Sequence, residues 1–289
     1  MKHVVILPYF CDEEIQRYLK IIKRMEQFPQ QECEWQFLLA ASPRTKPSQV
    51  LLEACQRVTA TESFQCPTQI FGYPEGPSAM FWDSMEYIQQ NTPNDNGFAL
   101  WFESDMAAVQ PDWLDRLDAQ WNQGTPPLLM GCYVPEVYKQ RLLRRKKLLL
   151  EDHVNGGACY AKHFAGCMPA EAREGVFDVV VYKFAKKLGQ VKSTNLIDFS
   201  TNARVRRDLL DRNKVVLHGF MQEKNTFIDD CVKPLSDWET RNAFLNPLRD
   251  SIESSRRKLR VWMVRRGKQA MYENMLLAKQ RDVSSRRAA

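Results

Sequence analysis

Apolar and polar positions along the first hundred residues switch repeatedly between two periods. Val4–Pro8 is a short apolar run rich in β-branched residues, the pattern of a strand. Ile15, Leu19, Ile22 and Met25 then recur at helical spacing behind Asp12, a candidate cap, with Glu13 and Glu14 suited to the positive end of that helix. Trp35–Ala41 predicts a second strand, and Ser48–Val58 a second helix capped by Ser48. Gln69–Phe71 predicts a third, short strand, and Ser78–Gln89 a helix beyond the turn at Gly72–Pro77. After a loop at Pro93–Gly97, Phe98–Phe102 is apolar throughout, as expected of a central strand covered on both faces.

This pace of alternation predicts an α/β fold: parallel strands flanked by helices, with ligands bound beyond the carboxyl ends of the strands. The second half is less regular. It predicts a helix over Pro111–Asn122, a strand over Leu128–Tyr133 and a basic, helical stretch over Lys139–Leu150. A strand at Asn155–Tyr160, a helix at Phe177–Leu188 and a strand at Val215–Leu217 follow. Beyond about Asp237 the chain is polar, charged and helical in pattern. The expected division is 1–236 for the α/β domain, itself split at 106/107, and 237–289 for a helical basic extension.

Composition changes this picture little. With 289 residues, 44% of them apolar, the chain can bury a substantial core. No run approaches the ~20 apolar residues of a membrane-spanning helix, and the first apolar run is too short for a signal peptide, so a cytoplasmic location is expected. Eight scattered cysteines contain no CxxC pair and are expected to be reduced, serving as small apolar residues. Charge matters more. From Arg256 onward, eleven basic residues face two acidic ones, a charge of +9, which leaves −3 on the rest of a chain totalling +6. An anionic partner would therefore meet the tail rather than the body. Leu259, Val261, Trp262, Met263 and Val264 lie among those arginines. The 256–287 segment either packs on the body with its charges in water or lies on an anionic membrane surface; nucleic acid is not an expected partner.

The chemistry centres on Ala99–Asp105, where a buried strand delivers Glu103 and Asp105 to the ligand-binding edge. Carboxylates two residues apart on an extended chain point the same way and can face one hard cation. Solvated loop acids are the plainer alternative. Downstream, His218 ends an apolar strand and precedes Gly219, and Lys224 lies six residues further on. Asn155-Gly156-Gly157 precedes another strand, where paired glycines permit either a tight turn or close approach to a ligand. Asp178 opens an amphipathic helix, which an N-cap also explains.

Glu103-Ser104-Asp105, with Pro111-Asp112-Trp113-Leu114 after it and three strand–helix units before it, resembles the DxD signature of metal-dependent GT-A glycosyltransferases. The resemblance extends over roughly Lys2–Lys224. It implies a GT-A mixed sheet flanked by helices and a nucleotide-diphospho-sugar donor, a UDP- or GDP-sugar. It implies Mn²⁺ or Mg²⁺ held by Glu103, Asp105 and His218, with Glu103 acting directly, through water or on the sugar. Pro8, Tyr9, Ser42, Arg44, Ser78, Ser104 and Lys224 form the implied nucleotide-contacting set, and Asn155, Gly156 and Gly157 the acceptor side. The acceptor would be a glycan, a lipid-linked acceptor or a polysaccharide. Asp178 would be the catalytic base if the reaction inverts and an acceptor-orienting group if it retains; Phe177 stands where such a motif usually has another acid. Two rivals share the fold. A sugar-phosphate nucleotidyltransferase would carry glycines after the first strand, where this chain has Tyr9-Phe10-Cys11-Asp12. A non-catalytic binding module would tolerate the unusual Glu103 and Phe177.

Overall fold

In the computed structural model, described for residues 2–93, 95–134, 137–140, 146–150, 152–200, 214–219 and 224–232, strands and helices follow in the order β1 (Lys2–Tyr9), α1 (Asp12–Met25), β2 (Glu34–Ala41), α2 (Gln49–Gln56), β3 (Thr61–Gln65), α3 (Glu75–Asn91), β4 (Phe98–Trp101), β5 (Met106–Ala108) and α4 (Trp113–Trp121). The second half adds β6 (Leu129–Gly131), β7 (Tyr133–Val134), β8 (Val137–Gln140), β9 (Lys146–Leu150), β10 (His153–Val154), β11 (Cys159–Ala161), α5 (Phe164–Cys167), α6 (Phe177–Lys187), β12 (Val191–Ser193), β13 (Ile197–Ser200), β14 (Val216–Gly219) and α7 (Lys224–Val232). The expected extension at 237–289, with its 256–287 basic stretch, lies outside the described residues.

Seven strands form a mixed sheet in the order β12-β6-β11-β4-β1-β2-β3. β1, β2, β3 and β4 run parallel, and β11 enters antiparallel between β4 and β6. The inner strands carry near-continuous apolar runs because helices cover both faces of the sheet: all of Phe98–Trp101 is buried, as are Val4–Leu7 and Phe37–Ala41. α1 buries Ile15, Tyr18, Ile21, Ile22 and Met25. Ser48 caps α2 by accepting from Leu51 N–H at 3.3 Å, as expected.

Four expectations need correction. Asp12 does not cap α1; it is the first helical residue, and Cys11 stands at the cap without a side-chain bond. The third strand is Thr61–Gln65, an edge strand bonded to β2 alone, and Gln69–Phe71 is exposed loop. The pairing is made by main-chain groups, so five mixed residues suffice at an edge without an apolar signature. Lys139–Leu150 is not helical where described: β8 and β9 pair antiparallel as neighbouring strands, and that ladder overrides the helix preference of Leu and Lys. Asn155–Gly157 form a turn, and the strand proper is Cys159–Ala161.

Candidate functional site

β4 ends at Trp101 in the middle of the large sheet, and the chain turns at once. Met106 N–H donates to Glu103 C=O at 2.9 Å, closing a turn with Ser104 and Asp105 at its corners. The extended geometry expected for the acid pair is therefore corrected, although the two carboxylates still converge. β5 then pairs antiparallel with β14, setting His218 opposite Met106, and Gly219 N–H donates to Asp105 C=O at 2.8 Å. The long sequence gap between acids and histidine is closed by this ladder.

One carboxylate oxygen from each acid and the His218 ring nitrogen lie within 4.8 Å of one another. His218 Nε2 is 3.2 Å from Glu103 Oε2 and 3.3 Å from Asp105 Oδ1. Asp105 Oδ1 is buried yet accepts no well-formed hydrogen bond, and His218 Nδ1 is buried without a partner. Lys224, at the start of α7, holds the other oxygen of Asp105 at 2.8 Å. Burial alone would raise the Asp105 carboxyl; His218 and Lys224 outweigh it and hold the group well below the usual carboxylate range. Burial lowers His218, but Asp105 and Glu103 more than reverse this and lift it to about 9. One buried carboxylate, Asp105, and one partly exposed carboxylate, Glu103, thus face the basic side chains of His218 and Lys224. A divalent cation would replace the imidazole proton, as metal binding to a protonated ligand requires. Two carboxylates and an imidazole, with a buried acceptor oxygen lacking a donor, fit a hard or borderline divalent ion.

The turn at Asn155–Gly157 packs against this cluster. Asn155 Oδ1 accepts from Gly157 N–H at 3.1 Å, and Tyr160 hydroxyl donates to Gly156 C=O at 3.0 Å. A β-carbon on Gly156 would sit 2.8 Å from Phe177 Cζ and 3.3 Å from Glu103 Oε1. The paired glycines are thus explained by close approach to the cluster, beyond what a tight turn alone would ask. Asp178 lies in the first turn of α6, where Val176 is the cap, with Oδ2 3.7 Å from His153 Nε2. Burial raises its carboxyl, with the nearby Glu103 charge adding to the effect against His153.

The implied nucleotide-contacting residues divide. Ser104 is buried away from the cluster: its Oγ accepts from Arg17 Nε at 3.2 Å and Nη2 at 3.0 Å and donates to Glu14 Oε1 at 3.3 Å. Ser78 is also committed inward, donating to Pro74 and Gly175 carbonyls and accepting from Phe177 N–H, so it ties α3 to α6 instead of facing a phosphate. Tyr9 is fully buried with its hydroxyl accepting from Ser48 N–H, while its neighbour Phe10 is 60% exposed. Ser42 is buried in the β2–α2 turn, and Pro8 C=O accepts from Tyr18. Arg44 lays its guanidinium 3.5 Å over the Phe71 ring.

Sequence reading misses Glu14, Arg17 and Trp101. Glu14 and Arg17 are charged residues beside Ile15 and Tyr18 on the buried side of α1, and that interruption of an apolar face is the available signal. Glu14 Oε2 accepts from Phe10 N–H at 2.8 Å, so it joins the β1–α1 turn to the acidic turn, and burial lifts its carboxyl to about 6. Trp101 gives no signal in a strand that is apolar throughout.

No family model matches the sequence, and comparison with curated proteins returns no significant match. Solved structures do match. The chain aligns with mouse xyloside xylosyltransferase 1, apo form, at 9% identity and a TM-score of 0.50, over 82% of this chain and all of that one. It aligns with the bifunctional glycosyltransferase WbbM at 10% identity and a TM-score of 0.51, over 84% of this chain and 51% of WbbM. A 4-diphosphocytidyl-2C-methyl-D-erythritol synthase aligns at 10% identity and a TM-score of 0.45, over 66% of this chain and 86% of that one. The seven-stranded mixed sheet with its flanking helices is the GT-A fold.

Proposed function

We propose that the protein is a divalent-metal-dependent glycosyltransferase using a nucleoside-diphosphate sugar. The observation that carries this reading is the convergence of Glu103, Asp105 and His218 at the carboxyl edge of the central strand, with Asp105 Oδ1 buried and lacking a donor. The UDP- or GDP-sugar donor and the glycan or lipid-linked acceptor belong to this proposal. So do peripheral membrane contact through 256–287 at the cytoplasmic face and the 1–236/237–289 division. Among the described residues no helix is long and apolar enough to cross a membrane.

When bound, Mn²⁺ or Mg²⁺ would neutralise the donor diphosphate and the leaving nucleotide. The chain's own groups do the rest. Lys224, half exposed and raised by its carboxylate neighbours against the effect of burial, stays charged and can donate to a phosphate oxygen beside Asp105. Gly156 and Gly157 are buried and let the main chain of the proposed acceptor-side loop pack directly against Glu103 and His218. If the reaction inverts, Asp178 would accept the acceptor hydroxyl proton, and if it retains, Asp178 would orient the acceptor; burial raises its carboxyl, and His153 Nε2 lies 3.7 Å away.

Thermal stability with UDP, GDP and CMP, each with Mn²⁺ and with EDTA, tests the reading. A ligand at 100 times its Kd stabilises by about 2.7 kcal/mol. One nucleoside diphosphate should raise the midpoint only with metal, and Asp105→Asn should abolish the shift. No shift with any nucleotide would leave a GT-A-like domain without a donor site and overturn the proposal.

A further inference from the structure

Glutamate carries one more methylene than aspartate and loses more rotamer freedom when fixed. A glutamate serving as a metal ligand at a surface turn needs something to hold it. Trp101 stands two residues before Glu103 and is buried at the end of β4. An indole N–H is a donor only, and when buried it needs an acceptor. Trp101 Nε1 donates to Glu103 Oε1 at 3.2 Å. The indole has little freedom to turn away, being packed edge-on against Phe81 and Phe177 at centroid distances of 5.5 and 5.9 Å. On its other flank Glu103 Oε1 meets Gly156, where even a β-carbon would lie 3.3 Å away. The second oxygen, Oε2, faces His218 Nε2.

We propose that Trp101 is a positioning residue that occupies Glu103 Oε1 through its indole N–H and so presents Oε2 alone to the cation. The inference rests on the metal reading of the cluster. It also gives a reason why Glu103 can stand in the first acidic position: the longer side chain is the one that can meet the indole of Trp101 and His218 together. Asp105 is held in the same manner, with Lys224 on Oδ2 while Oδ1 faces His218 Nε2 at 3.3 Å. Each carboxylate would therefore offer one oxygen, and with the His218 imidazole the described residues would supply three donor atoms.

Mn²⁺ affinity, read by calorimetry or by the loss of free-ion electron paramagnetic resonance signal, tests this without turnover. Trp101→Phe should weaken Mn²⁺ binding about 10-fold or more, the range seen when the partner of a metal ligand is removed. In a Glu103→Ala background the same substitution should have no further effect, because its action runs through that carboxylate. A merely structural tryptophan would lower thermal stability and leave both affinities unchanged, and that result overturns the proposal. If Trp101→Phe does not fold, indole ¹H–¹⁵N resonances decide: Glu103→Ala must shift one of them, and a spectrum in which none moves also overturns it. If the wild type takes up no Mn²⁺, the metal reading fails and this inference falls with it; equal binding by wild type and Trp101→Phe sinks the inference alone.

Discussion

Gly157 lies so close to His218 that a β-carbon there would be 2.9 Å from the imidazole Nδ1, and 2.6 Å from Met106 Sδ. His218 is buried on β14 and Met106 on β5, so both side chains have little room in which to give way. Gly157→Ala should cost about 1–3 kcal/mol of stability, as overpacking does. It should also weaken Mn²⁺ binding by displacing the imidazole. Thermal denaturation and metal titration check both effects, and unchanged values in both would contradict the packing argument.

Glu14 makes stability depend on pH in a defined direction. Burial raises its carboxyl from 4.5 to about 6, against the pull of the Phe10 N–H and Arg17. A carboxyl raised on folding contributes stability that is complete below its unfolded value and is lost as pH climbs through about 6. Glu14→Gln has no such titration. The stability of wild type relative to Glu14→Gln should therefore fall by roughly 2 kcal/mol between pH 4 and pH 7.5. Denaturation midpoints of the two proteins across that range measure it, and a constant difference would refute it.

Lys224 touches Asp105, and under the proposed function it meets the donor diphosphate. Lys224→Ala should weaken a nucleoside diphosphate about 10-fold while affecting the matching monophosphate much less, since the charge-assisted bond is made to the second phosphate. Kd values for UDP and UMP, or GDP and GMP, give the ratio. An equal loss for both members of the pair would place Lys224 in a purely structural role.

Asp178 is the candidate base. Asp178→Asn should lower turnover by about 10²–10⁴-fold while leaving the metal-dependent nucleotide stabilisation in place. The anomeric configuration of the product, read by NMR, should be inverted. A retained configuration, or turnover undiminished in Asp178→Asn, would remove the base assignment and leave the carboxylate an acceptor-orienting role.

The parts legible in the sequence share one physical property. β1, β2 and β4 are buried on both faces, so burial writes them as unbroken apolar runs. α1 and α6 show one apolar stripe each because one side faces the sheet. Glu103 and Asp105 stand out because two acids interrupt the end of such a run, and His218 because it ends another. Elements held by main-chain pairing left no such mark. Thr61–Gln65 needs only β2 beside it, and β8 and β9 need only each other. Ser78 and Ser104 looked available because a serine at a helix start or in a turn can face either way; partners distant in sequence, Gly175 and Arg17, turn both inward.

By itself, then, the chain order of apolar runs determined a sheet of parallel strands flanked by helices and the edge at which acids would emerge, because covering both faces of a strand requires those residues wherever they later pack. Only the tertiary structure decided how the acids are used. The β5–β14 ladder brings His218 across more than a hundred residues to Asp105, and the main-chain bonds that do so are independent of side-chain identity. Two of the motif side chains are held by donors far away in sequence: Arg17 on Ser104 and Lys224 on Asp105. Such bonds depend on distance and direction between groups in space, and the linear order of residues does not carry that information.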